Sequence, residues 1–141
     1  MIFKKRVKPT QLKALDELEP LMDDDKPILL DFWQANCRSC KIMDGIVNEL
    51  AEEYAGTAHV VKIDVGRVPG AAQTFKIRGT PTFVVLGRSQ KTSKKKKKRQ
   101  QQAGEDQAKA KMTPRWRTSG LVNKDVMQRV LESNGASRPE A

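Results

Sequence analysis

The strongest constraint on this chain is an abrupt change of pattern between residues 28 and 54. Ile28-Leu29-Leu30-Asp31-Phe32-Trp33 is a compact apolar run with one acid embedded in it, short enough for a strand buried on both faces. Four residues later come Cys37 and Cys40, the only two cysteines in the chain. Ile42, Met43, Ile46, Val47, Leu50, Ala51 and Tyr54 then recur at three and four, the period of an amphipathic helix ending near Gly56. A strand that feeds directly into a helix places Cys37 at the helix N-terminus. There, free backbone N–H groups and the helix dipole favour a thiolate. Cys40, one turn on, is expected to be more buried and less ionised. A pair at this spacing can close or release a small disulfide, which points to a redox switch; the bland alternative is two inert buried thiols.

The remaining pattern places this unit in an α/β domain. Pro9 to Met22 carries Leu12, Leu15, Leu18 and Leu21 and predicts a helix. His59 to Val65 and Thr82 to Leu86 read as strands, Pro69 to Phe75 as a short helix, and Arg115 to Thr118 as a weaker strand centred on Trp116. Val122 to Leu131 closes the pattern as a helix with Val122, Val126, Val130 and Leu131 inward. Helix and strand alternate first and strands then cluster, the mark of a mixed sheet covered by helices. At 141 residues one domain suffices, assigned to residues 1–135 with a polar, disordered tail over 136–141.

Charge separates one segment from the rest. Between Arg88 and Lys111, ten basic residues stand against Glu105 and Asp106, so +8 of the formal net charge of +10 lies there. Residues 88–111 have almost no apolar side chains to offset the entropy of ordering them, and they read as a disordered, Lys-rich insertion. Its run Lys94–Arg99 reads either as a solvated, self-repelling loop or as a contact for an anionic partner, whether nucleic acid, an acidic protein or a membrane surface, or as a nuclear-import signal. The apolar segments are too short to span a bilayer, and Met1 to Lys8 leads into polar sequence where a secretory leader needs an apolar core, so the expected address is cytoplasmic. Two cysteines and the single His59 cannot furnish the four ligands of a structural zinc site from one chain, which leaves only a centre shared between chains. His59, opening a strand far from the cysteines, reads as an ordinary surface histidine.

Asp31 carries its own chemical signal. An acid amid apolar neighbours has its pKa raised by desolvation, and can accept the Cys40 proton through water. Lys62, on the next strand, is a candidate counter-charge. The alternative is a strand-end residue facing solvent.

The segment Asp31 to Lys41 closely resembles the active-site segment of the thioredoxin family, and Arg78-Gly79-Thr80-Pro81-Thr82-Phe83 resembles that family's cis-proline loop. The resemblance covers about Leu12 to Leu86 and resumes at Trp116 to Leu131. It implies a thioredoxin fold, with the basic insertion in the hairpin joining the last two strands. It also implies a protein thiol-disulfide oxidoreductase that needs no metal or organic cofactor. Cys37 would be the attacking thiol and Cys40 the resolving one, with Asp31 the buried acid and Lys62 its partner. Trp33 matches an aromatic beside the site, and Pro81 would be cis, with the Thr80 backbone pairing with an extended substrate segment. Val65, Thr80, Pro81, Gly120 and Leu121 would form a rim for partner proteins. Disulfide-containing proteins are the implied substrates, a thioredoxin-reductase-like protein or a small thiol the implied electron donor, and a monomer the expected state. The chain departs from the family at Asn36, where a Trp is usual, and at Arg38-Ser39, where Gly-Pro is usual. Arg38 is expected to stabilise the thiolate and touch substrate, giving a less reducing potential than typical thioredoxin. These departures motivate a second reading, a binding or adaptor module on the same fold whose basic loop engages nucleic acid or an acidic partner.

Overall fold

The computed structural model describes residues 7–88 and 112–139. Within these, five strands form one sheet: β1 (Thr10–Gln11), β2 (Ile28–Trp33), β3 (His59–Asp64), β4 (Thr82–Gly87) and β5 (Thr113–Ser119), in the order β1-β3-β2-β4-β5. β1, β3 and β2 run parallel, whereas β4 is antiparallel to β2 and β5 to β4. The helices are α1 (Leu18–Met22, preceded by a 3-10 turn at Leu15–Glu17), α2 (Arg38–Glu53), α3 (Ala71–Phe75) and α4 (Lys124–Ser133). The mixed sheet between helices is the architecture expected from the alternating pattern. The Lys-rich segment does join the last two strands; residues 89–111, including Lys94–Arg99, lie outside the described residues.

Every residue of β2 except Trp33 is buried, so its two faces supply two cores. Leu29 packs with Val60, Phe83, Val85 and the inner faces of α2 and α4, including Met43, Val47, Leu50, Met127 and Leu131. Ile28, Leu30 and Phe32 pack on the opposite side with Val61, Ile63, Val84, Leu18 and Ala71. The alternation of side chains along a strand puts Asp31 on the face of Leu29, beneath α2. Trp116 packs onto the first core, as expected for a strand aromatic near the last helix.

The N-terminal segment departs from the helix expected over Pro9 to Met22. Thr10 and Gln11 instead extend the sheet edge opposite Val61 and Lys62, and Leu12 is buried beside them. A strict spacing of three drifts around a helix with 3.6 residues per turn, so those leucines make no straight stripe. Pro20 also lacks the N–H that a helix interior requires; in the first turn of α1 that N–H is dispensable. In α4 Leu131 is buried and Val130, with Val122 just before the helix, packs against the first core, as expected, but the expectation missed Met127, which is buried as deeply, and Val126 is only half-buried and lies outside that core. The tail expected from residue 136 docks at its start. Ala136 is buried, Ser137 exchanges hydrogen bonds with Thr57, and Arg138 pairs with Glu132 at 2.9 Å.

Candidate active site

The site is built at the C-terminal end of β2, where the chain leaves the sheet and starts α2. Asn36 turns that corner with φ 64°, a left-handed conformation that Asn tolerates better than most residues. Cys37 is the N-cap of α2, and its sulfur accepts a hydrogen bond from the Cys40 backbone N–H at 3.1 Å. The two sulfurs are joined as a disulfide with Cα atoms 5.2 Å apart, so the described form is the oxidised one. Cys37 is half-buried whereas Cys40 is 4 % exposed, the asymmetry expected of an attacking and a resolving thiol. Arg38 opens α2 with an exposed side chain.

Asp31 is 2 % exposed, which excludes the solvent-facing alternative. Desolvation is the main cause that pushes its carboxyl up to about 7; the nearby Lys62 charge opposes the rise and Asp44 adds to it. Lys62 is the register partner of Asp31 across the parallel strands. Its ammonium nevertheless bonds elsewhere: Nζ lies 2.9 Å from Asp44 Oδ1 on α2 and 5.0 Å from the Trp33 ring centroid, and Asp31 Oδ1 has no hydrogen-bond partner among the described residues. The expected Asp31–Lys62 partnership is therefore one of proximity rather than a direct ion pair. The physical reason is solvation. Asp44 is 43 % exposed along its side chain, and a flexible lysine keeps its charged end hydrated there while its stem lies buried. Asp44 went unread in the sequence; its signal is a carboxylate four residues beyond Cys40, on the same face of the helix.

Three of the other predicted residues, Val65, Thr80 and Trp33, line two grooves that meet the cysteine loop. The Thr80–Pro81 peptide is cis, as the resemblance implied. Thr80 and Val65 line a shallow groove of about 300 Å³ with Gln34, Ala72, Ile77 and Arg78. Thr82 Oγ1 donates to Gly79 O at 2.6 Å and lies 2.9 Å from Ser119 Oγ, fixing this loop to the end of β5. Gly120, at φ 85°, donates its N–H to Pro81 O at 2.9 Å, a backbone conformation that suits glycine. Leu121 follows with 60 % of its surface exposed, and Ile42 on α2 has 58 %. Trp33 stands apart from that groove: it lines a second one, of about 520 Å³, with Gln11, Leu12, Ala35 and Val68. Gln34 and Ala35, consecutive residues of the cysteine loop, thus face different grooves.

His59 sits at the far end of β3, opposite Ile28, where it pairs with Asp24 at 2.8 Å. Desolvation raises the Asp24 carboxyl, but hydrogen bonds from His59 and from the Lys26 backbone N–H, with the charges of both residues, outweigh it and hold the group low. That contact fastens the loop before β2 and takes no part in the redox site.

Comparison with known proteins agrees with this geometry. The thioredoxin family model matches residues 10–110, more than half the chain. Thioredoxin 1 of Nostoc sp. is 34% identical over 73 residues, covering 52% of this chain and 68% of that one. Thioredoxin-1 of Drosophila melanogaster is 41% identical over 68 residues, covering 48% of this chain and 64% of the relative. Among solved structures, a single-substitution mutant of a thioredoxin from Halobacterium salinarum superposes with a TM-score of 0.67 at 23% identity, covering 97% of this chain and 99% of that one. A Malassezia sympodialis thioredoxin gives the same TM-score of 0.67 at 18% identity, over 95% and 96% of the two chains. The redox pair at the head of α2, the cis-proline loop beside it and the matched family model together place this chain in the thioredoxin family.

Proposed function

We infer that this chain, a thiol-disulfide oxidoreductase of the thioredoxin family, works on disulfides of partner proteins with Cys37 as nucleophile, Cys40 as resolving thiol and Asp31 as proton acceptor. The observation that carries the reading is the pair itself: a half-buried sulfur capping a helix, bonded to a buried one a turn behind it. In the reduced protein the Cys37 thiolate attacks a partner disulfide and the first partner sulfur leaves. Cys40 then attacks Cys37 Sγ in the mixed disulfide, its proton passing to Asp31, and the second partner sulfur leaves with the electron pair. The partner disulfide gains two electrons and the Cys37–Cys40 dithiol loses them. The groove formed by Val65, Thr80 and Gln34, with exposed Leu121 nearby, is where an extended partner segment would lie; a reductase or a small dithiol would return the electrons.

Insulin-disulfide reduction with dithiothreitol as donor tests the assignment. Cys37→Ser is expected to reduce turnover to the uncatalysed background, and Cys40→Ser to accumulate a mixed disulfide with the substrate. Turnover surviving Cys37→Ser would overturn the roles given to the two cysteines. The family membership favours this reading over the adaptor module, whose proposed contact lies within residues 89–111, outside the described structure.

A further inference from the structure

Two carboxylates and one ammonium share the space under the first turns of α2, and the ammonium has taken the outer carboxylate. Lys62 leaves β3 level with Asp31, yet its Nζ is 2.9 Å from Asp44 Oδ1. The lysine side chain is 11 % exposed and the Asp44 side chain 43 % exposed, so the pair sits at the protein–water boundary. Drawing Nζ inward to Asp31 would bury the ammonium beside an already desolvated carboxyl group, a cost that only excellent geometry repays. Asp44 removes the need.

We propose that Asp44 is a positioning residue of the redox site: it anchors Lys62 at the mouth, so that Asp31 faces α2 as an uncompensated carboxyl group. This rests on the proton-acceptor role proposed above for Asp31. Among the described residues, the charged groups around Asp31 are few. Lys62, with Asp64 beyond it, comes from β3 and Asp44 from α2, at whose head the cysteine pair is an uncharged disulfide; the register partner on β4 is the apolar Phe83. Asp64 is engaged with the Gly66 N–H at 2.9 Å. Among the described residues, Lys62 and Asp44 are thus the two charges that act on Asp31, in opposite senses. A carboxylate that must take a proton from a thiol works best when its own proton affinity is near the ambient pH. With Asp44 in place the Lys62 charge is shared and held back; without it the ammonium is free to approach Asp31 and weaken it as a base.

The test uses the full chain with Asp44→Asn, Asp44→Ser and the rescue variant Asp44→Glu, each alone and Asp44→Asn also on a Lys62→Met background. Carbon-13 NMR of the aspartate carboxyls follows the Asp31 midpoint in the oxidised protein, and rapid mixing follows the pH dependence of mixed-disulfide resolution. Asp44→Asn and Asp44→Ser are expected to lower the proton affinity of Asp31 by about threefold or more, and to move the acid limb of resolution downward with it. Asp44→Glu is expected to keep both near wild type. On the Lys62→Met background the effect of Asp44→Asn is expected to fall by more than half. An unmoved Asp31 midpoint in both Asp44→Asn and Asp44→Ser overturns the proposal. So does an equal shift with and without Lys62, which would make Asp44 a direct charge and not an anchor. Failure of the underlying reading is separate: Asp31→Asn resolving mixed disulfides at the wild-type rate at every pH would remove the proton acceptor, while the NMR shifts would still report whether Asp44 holds Lys62.

Discussion

The two ends of α2 each carry a cluster of charged and polar groups, but the two clusters are satisfied to different degrees. At the C-terminal end, Lys124 reaches both Glu49, at 2.8 Å, and Glu53, which also accepts from Gln128 at 2.7 Å. Tyr54 there donates to Glu132, which Arg138 pairs at 2.9 Å. Those contacts tie α2 to α4 and to the chain beyond it. At the N-terminal end, Asp31 Oδ1 is buried without a hydrogen-bond partner among the described residues, while the ammonium of its register partner Lys62 is spent on Asp44. A polar cluster whose members are all paired fastens the fold, whereas a buried acid left uncompensated reduces stability and keeps a proton within reach of chemistry.

That contrast is broken most strongly at Asp31. Its folded-state value of about 7 lies above the ordinary 3.8, so between these the native protein binds a proton that the unfolded chain has released. The contribution of Asp31 to stability is therefore greatest below about pH 4, falls as pH rises towards about 7, and stays low above it. At 1.36 kcal/mol per unit, the full span is at most roughly 4 kcal/mol. Asp31→Asn, measured with the disulfide intact, is expected to remove that slope, so that the variant gains on wild type between pH 4 and pH 8. Comparing the two pH values cancels any constant cost of an imperfectly bonded amide. Denaturant unfolding checks it; parallel stability curves for variant and wild type across this range would show that Asp31 is not desolvated in the way described.

Asp31 also marks how far sequence reading reached. An acid inside Ile28–Trp33 was legible because a buried strand surrounds it whatever else the chain does, and Cys37 and Cys40 were legible because a strand–helix junction fixes where they stand. The parallel register even makes Lys62 its neighbour. What could not be read is where a long, flexible side chain ends. Lys62 Nζ lies far along a rotatable stem from its backbone, and its choice of Asp44 depends on the solvent boundary above α2, which no spacing encodes. The leucines from Leu12 to Leu21 misled for a related reason: an apolar residue signals burial, but a sheet edge, a 3-10 turn and a short helix all bury leucines. Ala136 docks through contacts with a distant part of the chain, invisible to a local polar pattern.

The paired end of α2 responds to different substitutions. Tyr54 is fully buried, and burial together with its bond to Glu132 drives its phenol well above the usual range. The hydroxyl therefore stays protonated through pH 6 to 9. Tyr54→Phe removes one charge-assisted hydrogen bond and leaves the ring, so it is expected to destabilise by about 1–2 kcal/mol, evenly over that interval. The Asp31 midpoint should not move with it. A pH-dependent loss, or a shifted Asp31 titration, would join the two clusters that the structure keeps apart.

Lys124 should give the smallest effect, because its partners are partly exposed: the Glu49 and Glu53 side chains retain 56% and 29% of their surface. Such pairs contribute up to about 1 kcal/mol, less in high salt, and Lys124→Met is expected to fall in that range. The pH signs differ for the two sides of the network. Desolvation raises the Glu53 carboxyl, but Lys124 and Gln128 outweigh it and hold it below 4.5, so its share of the stability is present above 4.5 and is lost as acid protonates it. Desolvation lowers the Lys124 ammonium, but the two glutamates outweigh it and hold it above 10.5, so its share is present below 10.5 and is lost at higher pH. The wild-type advantage over Lys124→Met should accordingly form a plateau that closes at both extremes. An advantage that grew steadily from acid to neutral pH without levelling would mean that this network, like Asp31, contains an uncompensated group, and the distinction between the two ends of α2 would fail.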